Sequence, residues 1–345
     1  MRHLATIERI KKIESIPNAD KIELATVRDW KVVVRKDDFK EKDYIVFYEI
    51  DSFLPVKQEY EFLLKGSKIK KLLIDGEEKE GIRLKSTKLR GQLSQGLIMP
   101  INLVLSADGT YEEDQDVSEE LGVFKYEPPI PACISGIVKG NFPSFIPKTD
   151  EERIQNCGDL LEMIKGCDCY ITSKLDGTSA TFYKYKGEFG ACSRNLELKD
   201  GDNIFWKLAK EYNLMEKLPE GFAVQGEIVG PGIQNNPLKL SKSDIYIYNI
   251  FDIKNQQYLN FDNMVSTVRG LGLKTVPVIN DNFIINHTVE ELLEMANGKS
   301  PINDKVLQEG IVIRPLVERN ETINRIITRL SFKVISNEYL LKVEQ

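Results

Sequence analysis

The chain has 345 residues, enough for about two ordinary domains, and 41% of them are hydrophobic, 29% charged and 9% aromatic. This composition excludes a collagen-like, an intrinsically disordered and a disulfide-scaffold protein. The formal net charge of -6, from 47 basic and 53 acidic residues, is opposite to that of a typical nucleic-acid-binding domain, so the distribution of charge matters more than its sum.

Neither a membrane span nor a secretion signal is expected. No stretch approaches the ~20 consecutive apolar residues that cross a bilayer, and charge follows the first methionine too closely for a signal peptide. The cysteines are Cys133, Cys157, Cys167, Cys169 and Cys192. Their spacing is unlike that of the common zinc ligands, so we expect reduced thiols in a cytoplasmic or nuclear protein.

The histidine count limits the possible chemistry. The only two histidines, His3 and His287, lie at opposite ends of the chain. A His-based zinc site or a Ser-His-Asp triad is therefore hard to build. Any metal should be a hard ion bound by carboxylates, such as Mg²⁺.

The first hundred residues are typical of β-structure. Short β-branched and aromatic runs, separated by turn-rich pieces, predict strands at 22–27, 30–35, 44–48, 82–85 and 95–100. About five short strands without long helices predict a small closed barrel, and the five-stranded OB barrel is the common one that binds oligonucleotides. We therefore predict an OB-fold domain over residues 1–122.

Charge is segregated within this predicted domain. Residues 65–90 contain nine basic and four acidic residues, whereas residues 108–120 contain seven acidic residues and no basic one. A basic strip on an acidic protein is a surface that a polyanion could use. A solvated lysine-rich hairpin is the alternative, and composition alone does not separate the two.

A proline-rich segment at 123–147 predicts a stiff linker. Thr149 then has the features of a helix cap, with acidic residues in the first turn that follows. From residue 148 to residue 345 we expect a mixed domain with strands at 170–174, 180–183, 222–229 and 245–251 and helices near 204–212 and 289–296. The fold class predicted for the whole chain is α+β.

The most informative motif is Ser173-Lys174-Leu175-Asp176-Gly177. It places an amine and a carboxylate at the end of a predicted strand, just before a turn glycine. Lysine is a nucleophile only when neutral, so its pKa must lie below the ordinary value of about 10.4 when it reacts. Alone, the motif also fits an exposed lysine before an Asp-Gly turn.

Further motifs follow Lys174 in a fixed order. They are Ser193-Arg194-Asn195, Gln225-Gly226-Glu227, Tyr248-Asn249-Ile250-Phe251-Asp252, Glu309-Gly310-Ile311-Val312-Ile313-Arg314 and Ser331-Phe332-Lys333-Val334. This order resembles the nucleotidyltransferase motifs of the covalent polynucleotide ligase and RNA-capping superfamily. The resemblance implies a mixed α/β, ATP-grasp-like nucleotidyltransferase domain at 148–345.

The position of the barrel favours one branch of that superfamily. Only twelve residues follow Lys333, whereas DNA ligases and capping enzymes carry their barrel after the last lysine motif. The segments at 16–23, 48–55, 89–97, 145–156 and 333–340 are similar to the fifth family of RNA ligases. The chain therefore resembles an ATP-dependent RNA ligase of that family over most of its length.

This resemblance implies the roles of the catalytic residues. Lys174 would attack the α-phosphate of ATP to give a lysyl-AMP intermediate and pyrophosphate. Asp176, Glu227 and Glu309 would bind Mg²⁺ or Mn²⁺, with two ions in all, although Glu227 could contact the ribose instead. Lys333 would stabilise charge on the α-phosphate in the transition state.

The remaining nucleotide contacts are also carried by the resemblance. Phe251 would stack on the purine and Arg153 would contact the triphosphate. Many superfamily members have Lys-x-Lys in the last motif, but Ser331 and Ile335 flank Lys333 here, so Arg314 or Arg329 would have to supply the second cation. The other nucleotide-binding candidates are Thr172, Asp176, Gly177, Arg194, Asn195 and Glu227.

The function predicted is the joining of RNA 3′-hydroxyl and 5′-phosphate ends, as repair of nicked duplexes, by a monomer with no membrane contact. In the barrel, Lys85, Lys88 and Arg90 are candidates for binding the RNA strand. A capping enzyme or DNA ligase is one alternative. The other is an OB module that binds RNA beside a degenerate ligase domain.

Overall fold

The computed structural model describes residues 3–74, 76–104, 110–127, 136–323 and 326–343. Three prolines of the predicted linker, at 128, 129 and 131, and Cys133 lie outside the described residues. The chain divides into two compact units, Met1–Ile130 with Leu340–Gln345 and Pro131–Tyr339. Within the described part, no helix combines the length and apolar character needed to cross a membrane.

The first unit is built mainly of short strands. Its strands are β1 (Ala5–Ser15), β2 (Ile22–Val27), β3 (Trp30–Arg35), β4 (Tyr44–Tyr48), β5 (Ser52–Pro55), β6 (Ile69–Ile74), β7 (Glu77–Arg83), β8 (Thr87–Leu89), β9 (Gln92–Ser94), β10 (Leu97–Pro100) and β11 (Phe124–Lys125). The helical pieces are the 3₁₀ turns Gln58–Lys65 and Ile101–Leu103 and helix α1 (Ser118–Leu121). The sheets have the orders β10-β4-β1-β2-β3, β11-β5-β7-β6 and β8-β9.

Strand β1 organises the barrel because it pairs with two partners. Its first half pairs with β4 and its second half with β2, and the register shifts between Ile10 and Lys12. The sequence analysis missed this strand, since a bulge breaks the period-two alternation by which a strand is recognised. Strands β2, β3 and β4 have the predicted bounds. The OB-type barrel is thus confirmed, with more strands than predicted.

The second unit is a mixed α/β structure. Its strands are β12 (Val138–Asn141), β13 (Glu152–Arg153), β14 (Asp168–Lys174), β15 (Thr178–Tyr185), β16 (Glu188–Cys192), β17 (Leu196–Leu198), β18 (Phe222–Val229), β19 (Asp244–Asp252), β20 (Gln257–Tyr258), β21 (Lys274–Thr275), β22 (Val278–Ile284), β23 (Gly310–Pro315), β24 (Asn320–Ile323), β25 (Ile326–Arg329) and β26 (Phe332–Ile335). The helical pieces are the 3₁₀ turn Ile154–Asn156 and α2 (Gly158–Met163), α3 (Ile204–Glu211), α4 (Leu214–Lys217), α5 (Phe261–Gly270), α6 (Val289–Met295) and α7 (Asn337–Val343).

Two sheets dominate this unit. A five-stranded sheet has the order β13-β26-β23-β14-β22. An eight-stranded sheet has the order β12-β17-β16-β15-β18-β19-β20, with β21 added beside β19. Strands β24 and β25 form a separate hairpin.

Each large sheet packs one apolar face against helices. In the five-stranded sheet, alternate residues such as Ile171 and Ile313 pack into a core with α2 and α6. In the eight-stranded sheet, residues such as Phe182 and Val224 pack against α3 and α5. Because successive side chains of a strand point to opposite faces, the residues between these apolar positions lie on the other face, where polar chemistry can be placed.

The helix predicted to begin at Thr149 is wrong. Residues 147–151 have no regular structure, and Glu152–Arg153 form strand β13, which pairs in parallel with β26. The Thr149 hydroxyl bonds the Ser179 hydroxyl at 2.7 Å, so it does not cap a helix. Long-range partners of this segment override its local helix signal.

Candidate active site

A cavity of about 270 Å³ lies in the second unit. Its walls come from both large sheets and from the segment at 149–151. The side chains and backbone that line it belong to Thr149, Asp150, Glu151, Thr172, Ser173, Lys174, Leu175, Asp176, Gly177, Thr178, Ser179, Arg194, Glu227, Gln234, Tyr248, Val276, Val312, Arg314 and Lys333. Eight of the predicted site residues are therefore gathered here: Thr172, Lys174, Asp176, Gly177, Arg194, Glu227, Arg314 and Lys333.

Lys174 is the last residue of β14 and pairs across the ladder with Gly310, the first residue of β23. Glu309 immediately precedes that strand, and its Oε1 lies 2.6 Å from Lys174 Nζ. A Cβ on Gly310 would lie 2.1 Å from the carbonyl oxygen of Val334, so only glycine allows this close strand pairing. The ladder therefore brings the nucleophile candidate and its carboxylate partner together.

The surrounding carboxylates control the charge of Lys174. Burial alone would lower the pKa of its ammonium group, but the negative charges of Glu309, Glu227 and Asp176 outweigh burial and raise the pKa above its ordinary value. In the free protein Lys174 is thus a cation, held by Glu309. To act as a nucleophile it would need positive charge that offsets these carboxylates.

Glu227 lies in the middle of the eight-stranded sheet, where β18 pairs it with Ser179 of β15 and Tyr246 of β19. Burial, reinforced by the charges of Glu309 and Asp176 and opposed by Lys174, raises the pKa of Glu227 to about 8. Such a carboxyl group takes up a nearby cation readily, because the cation relieves its unfavourable ionisation.

Gly177 explains the close approach of the motif loop to Glu227. A Cβ at this position would lie 2.3 Å from the carbonyl oxygen of Ile228 and 3.0 Å from Cγ of Glu227. Its backbone N–H donates to the Glu227 carboxylate. The glycine of the Lys-x-Asp-Gly motif is therefore required by packing against β18.

Asp176 lines the cavity two residues after Lys174 and has a partner that the sequence analysis did not identify. The phenolic O–H of Tyr339, on α7, donates a hydrogen bond to Asp176 Oδ2. Burial and the Asp176 charge raise the pKa of Tyr339 above its ordinary value, so the phenol stays a neutral donor.

The metal prediction can be tested against this geometry. Within the described residues, no group of three or more His, Cys, Asp or Glu side chains is arranged to hold a metal ion. Glu309 Oε2 is buried and has no hydrogen-bond partner. These residues fit a hard divalent ion that takes one or two carboxylates and completes its shell with water and substrate phosphate, as Mg²⁺ commonly does.

Cations lie on one row of the five-stranded sheet. Thr172 pairs with Val312, Val312 with Lys333, and Lys333 with Arg153 on neighbouring strands. Thr172, Val312 and Lys333 line the cavity, and Arg153 continues the row beyond it. The two cations predicted to contact phosphate are thus brought side by side.

Arg314 is buried at the wall of the cavity and uses its donors inside the protein. Its guanidinium donates to Glu151 at 2.8 Å, to the Ser331 hydroxyl at 2.9 Å and to the Tyr248 carbonyl at 3.4 Å. Arg329 pairs with Glu318 and lies 3.8 Å from Glu151. Both arginines proposed to replace a second lysine are therefore engaged with carboxylates.

Arg194 and Asn195 meet the segment that precedes β13. Arg194 donates to Asp150 at 2.6 Å and lines the cavity. Asn195 accepts from Lys148 Nζ at 3.0 Å and does not line it. These bonds connect the motif turn to the cavity mouth.

The structure does not place Phe251 at the cavity. Its side chain is 3% exposed and packs in a small core with Ile146 and Tyr183. The register of β19 shifts opposite Gln225, so the strand does not keep one alternation throughout. Tyr248 is the aromatic residue of this motif that lines the cavity.

The three cations proposed to bind RNA lie on or beside the β8-β9 hairpin of the first unit. Lys85, Lys88 and Arg90 are exposed, and none forms an ion pair with any described residue. Arg90 and Gly91 both have positive φ, 50° and 86°, in the tight turn that joins the strands. The hairpin therefore presents three exposed cations that no acidic residue of the described ranges pairs with.

Sequence reasoning missed several residues of the site, and four of them are polar side chains with a clear place in it. They are Glu151, Gln234, Tyr248 and Tyr339. Two signals were available: Glu151 and Tyr339 fall in segments similar to the RNA ligases, and Tyr248 is the first residue of one of the motifs that follow Lys174. None of these signals reveals which distant residue each side chain contacts.

Comparisons with known proteins agree with this architecture. A family model described as an OB-fold domain matches residues 4–101, and a model described as RNA ligase matches residues 168–335. No curated protein sequence matches the chain.

Solved structures extend the similarity to the whole chain. The Naegleria gruberi RNA ligase with PPi is 38% identical with a TM-score of 0.83, over 100% of this chain and 99% of that chain. A mutant of that ligase with ATP and Mn is 38% identical with a TM-score of 0.84, over 99% of both chains. Another mutant with AMP and Mn is 38% identical with a TM-score of 0.85, over 99% of both chains.

An OB-fold unit followed by a mixed α/β unit that matches an RNA ligase model places the chain in the ligase class. The identity and coverage of the matched structures then settle the assignment. This chain belongs to the RNA ligase family.

Proposed function

We propose that the chain is an ATP-dependent RNA ligase that joins 3′-hydroxyl and 5′-phosphate ends through lysyl-AMP and RNA-adenylate intermediates. The observation that carries this proposal is Lys174, which lies in the cavity against Glu309, with Lys333 in the row two residues along the sheet. The ligand states of the Naegleria gruberi structures, with ATP, AMP or PPi, support the same chemistry.

In the first step the neutral amine of Lys174 attacks the α-phosphorus of ATP. A P–N bond forms, the P–O bond to the β-phosphate breaks, and pyrophosphate leaves with the electron pair while the amine loses its proton to solvent. In the second step a 5′-phosphate of RNA displaces Lys174 and takes the AMP. In the third, a 3′-hydroxyl oxygen attacks the 5′-phosphorus of the RNA, its proton passes to solvent, and the P–O bond to AMP breaks, so that AMP leaves.

The protein contributes mainly position and charge. Glu309 holds the Lys174 side chain at the strand end before reaction. Lys333 and Arg153 offer positive charge along one row, where the phosphates of a nucleotide would lie. A divalent ion bound by Asp176, Glu227 or Glu309 would supply the positive charge that offsets these carboxylates.

We assign the RNA to the barrel as well as to the cavity. The exposed cations Lys85, Lys88 and Arg90 would hold the strand through its phosphates. A nicked duplex, sealed by a monomer inside the cell, is the substrate we favour. Residues 1–122 would act as the OB-fold domain, 123–147 as the linker and 148–345 as the adenylylation domain.

The test is the intact mass of the protein after incubation with Mg²⁺ and either ATP or GTP. We expect a gain of one AMP with ATP, no gain with GTP, and no gain in Lys174→Ala. Lys184→Ala, on β15 of the same unit, is the matched control and should gain AMP like the wild type.

Three outcomes contradict the proposal in different ways. A GMP adduct would indicate capping chemistry instead. No adduct on folded protein that has been treated with pyrophosphate, to remove AMP already bound, would favour an RNA-binding module. An adduct that persists in Lys174→Ala would place the nucleophile elsewhere. Nicked duplexes of RNA, DNA and hybrid composition, offered to the adenylylated protein, then decide the substrate.

A further inference from the structure

We propose that Tyr339 is a positioning residue that fixes the carboxylate of Asp176 for reaction at Lys174. This inference rests on the proposed function, since Asp176 belongs to the site at which Lys174 would be adenylylated. The contact that carries it is the hydrogen bond from the Tyr339 phenol to Asp176 Oδ2.

Asp176 needs such a partner because the sheet does not hold it. Strand β14 ends at Lys174, and residues 175–177 have no strand or helix structure. The orientation of the carboxylate therefore depends on side-chain contacts. With Oδ2 bound to Tyr339, the other carboxylate oxygen is left for the cavity that Asp176 lines.

Tyr339 is itself held firmly. Its side chain is 8% exposed, and its backbone N–H donates to the Ser336 hydroxyl at 3.1 Å. That hydroxyl donates to Asn297 at 2.9 Å, so the start of α7 is anchored to a residue just beyond α6. A donor on a rigid support can position a carboxylate, whereas a donor on a mobile side chain would follow it.

The same segment also holds Glu309. The backbone N–H of Ser336 donates to the Glu309 carbonyl at 2.9 Å. The segment 336–339, where α7 begins, thus has one hydrogen bond to each of two residues near Lys174, to Asp176 through its side chain and to Glu309 through its backbone. Tyr339 sets the first of these two positions.

A phenol is suited to this task because it donates without adding charge. A lysine or arginine at the same place would neutralise Asp176 and weaken its pull on positive charge in the cavity. A neutral donor fixes the geometry and leaves the negative charge of the carboxylate for the reaction.

The experiment compares Tyr339→Phe with the wild-type protein in single-turnover formation of lysyl-AMP, followed by intact mass over a range of ATP concentrations. We expect the rate at saturating ATP to fall about tenfold, because the lost hydrogen bond orients a carboxylate at the reaction site. The ATP concentration that gives half the maximal rate should change less than about twofold. Tyr212→Phe is the matched control. The Tyr212 phenol donates to Asp244 at 2.5 Å, and neither residue lines the cavity. We therefore expect the wild-type rate from that variant.

A double-mutant cycle separates positioning from general damage. In an Asp176→Asn background, Tyr339→Phe should cause no further loss of rate, since the phenol acts only through Asp176. A further loss of the same size in that background, or a wild-type rate in Tyr339→Phe alone, would overturn the proposal.

A second measurement needs no catalysis. Crystal structures of the wild type and Tyr339→Phe should show the Asp176 carboxylate displaced in the variant, with Ser336 and Glu309 unmoved. An unmoved Asp176 carboxylate would refute the positioning role. A wild-type protein that forms no lysyl-AMP would contradict the proposed function, and the crystal structures would still decide the role of Tyr339.

Discussion

The two units place different numbers of arginines beside a buried carboxylate. In the barrel, one arginine, Arg28, contacts both Glu8 and Glu49, which are almost fully buried. In the second unit, which we call the catalytic unit, one carboxylate, Glu151, lies between Arg314 and Arg329.

The pKa values of Glu8 and Glu151 follow the number of arginines beside each. Burial raises the pKa of Glu8, since Arg28 compensates only part of the cost. Burial alone would also raise the pKa of Glu151, but the charges of Arg314 and Arg329 outweigh it, so the pKa of Glu151 lies below its ordinary value. A single shared arginine does not offset the cost of ionising a buried carboxylate, whereas two arginines do.

The largest loss of stability is expected when Glu151 is neutralised. Glu151→Gln leaves Arg314 and Arg329 facing each other without their common partner, and we expect a loss of about 3 kcal/mol in the free energy of unfolding of the catalytic unit. Each unit contains one buried tryptophan, Trp30 in the barrel and Trp206 in the catalytic unit. Urea unfolding followed by Trp206 fluorescence, in a Trp30→Phe background, measures the catalytic unit.

The Trp206→Phe background supplies the control for this prediction. There, Trp30 fluorescence should report an unchanged barrel in Glu151→Gln. Equal stability of the Glu151→Gln and parent proteins at neutral pH would show that the two arginines do not depend on Glu151.

A smaller effect is expected on the barrel surface. Replacing Lys85, Lys88 and Arg90 by alanine should reduce the salt dependence of RNA binding, lowering the slope of log K against log salt by about 2 to 3, because each exposed cation releases about one counterion. Lysyl-AMP formation should be unchanged. The measurement is a fluorescence-anisotropy titration with a nicked RNA duplex at several salt concentrations.

The matched control removes the same charge elsewhere on the barrel. Lys36, Lys40 and Lys57 are also exposed, and their triple alanine variant should keep the wild-type slope. Equal slopes for the two triple variants would mean that the hairpin is only a solvated surface.

The smallest effect is a pH dependence of opposite sign in the two units. Glu151 has a lowered folded-state pKa, so its contribution is present above about pH 4.5 and is lost as the pH falls through the folded pKa. Glu8 has a raised folded-state pKa, so the barrel loses stability as the pH rises from about 4.5 through that pKa.

Glu8→Gln should therefore stabilise the barrel at pH 7 by less than about 1 kcal/mol, and the gain should vanish near pH 4. The urea midpoint measured through Trp30 fluorescence at both pH values checks this. If Glu8→Gln destabilised the barrel at pH 7 relative to the wild type, and did so less at pH 4, the sign would be opposite to the one expected. That result would refute the contrast between Glu8 and Glu151.

Local patterns predicted much of this molecule. Strands β2, β3, β4 and β18 have the predicted bounds, because period-two alternation and flanking turns are local signals. Strand β1 was missed because its bulge interrupts that alternation. The helix at Thr149 was predicted wrongly because its polar residues bond partners that lie far away in sequence.

The site shows the same limit. Lys174, Asp176 and Lys333 could be named from the order of motifs, and the structure brings them to one cavity. The contacts of Glu151 with Arg314 and of Tyr339 with Asp176 each join residues 163 positions apart. No local pattern reveals a pairing of that kind. Phe251 shows that a motif residue can also be placed in a core instead of at the site, through the register shift of its strand.

The parallel pairing of β13 with β26 has a consequence for the timing of activity. It joins Arg153 to Lys333, 180 positions later in the chain. A ribosome that adds about 5–20 residues per second needs roughly ten seconds or more to make the chain between them. During that interval the emerging protein already contains Lys174 but lacks β26, which joins Val312 and Arg153 in one row through Lys333. This row can therefore form only after β26 has been synthesised, well after Lys174.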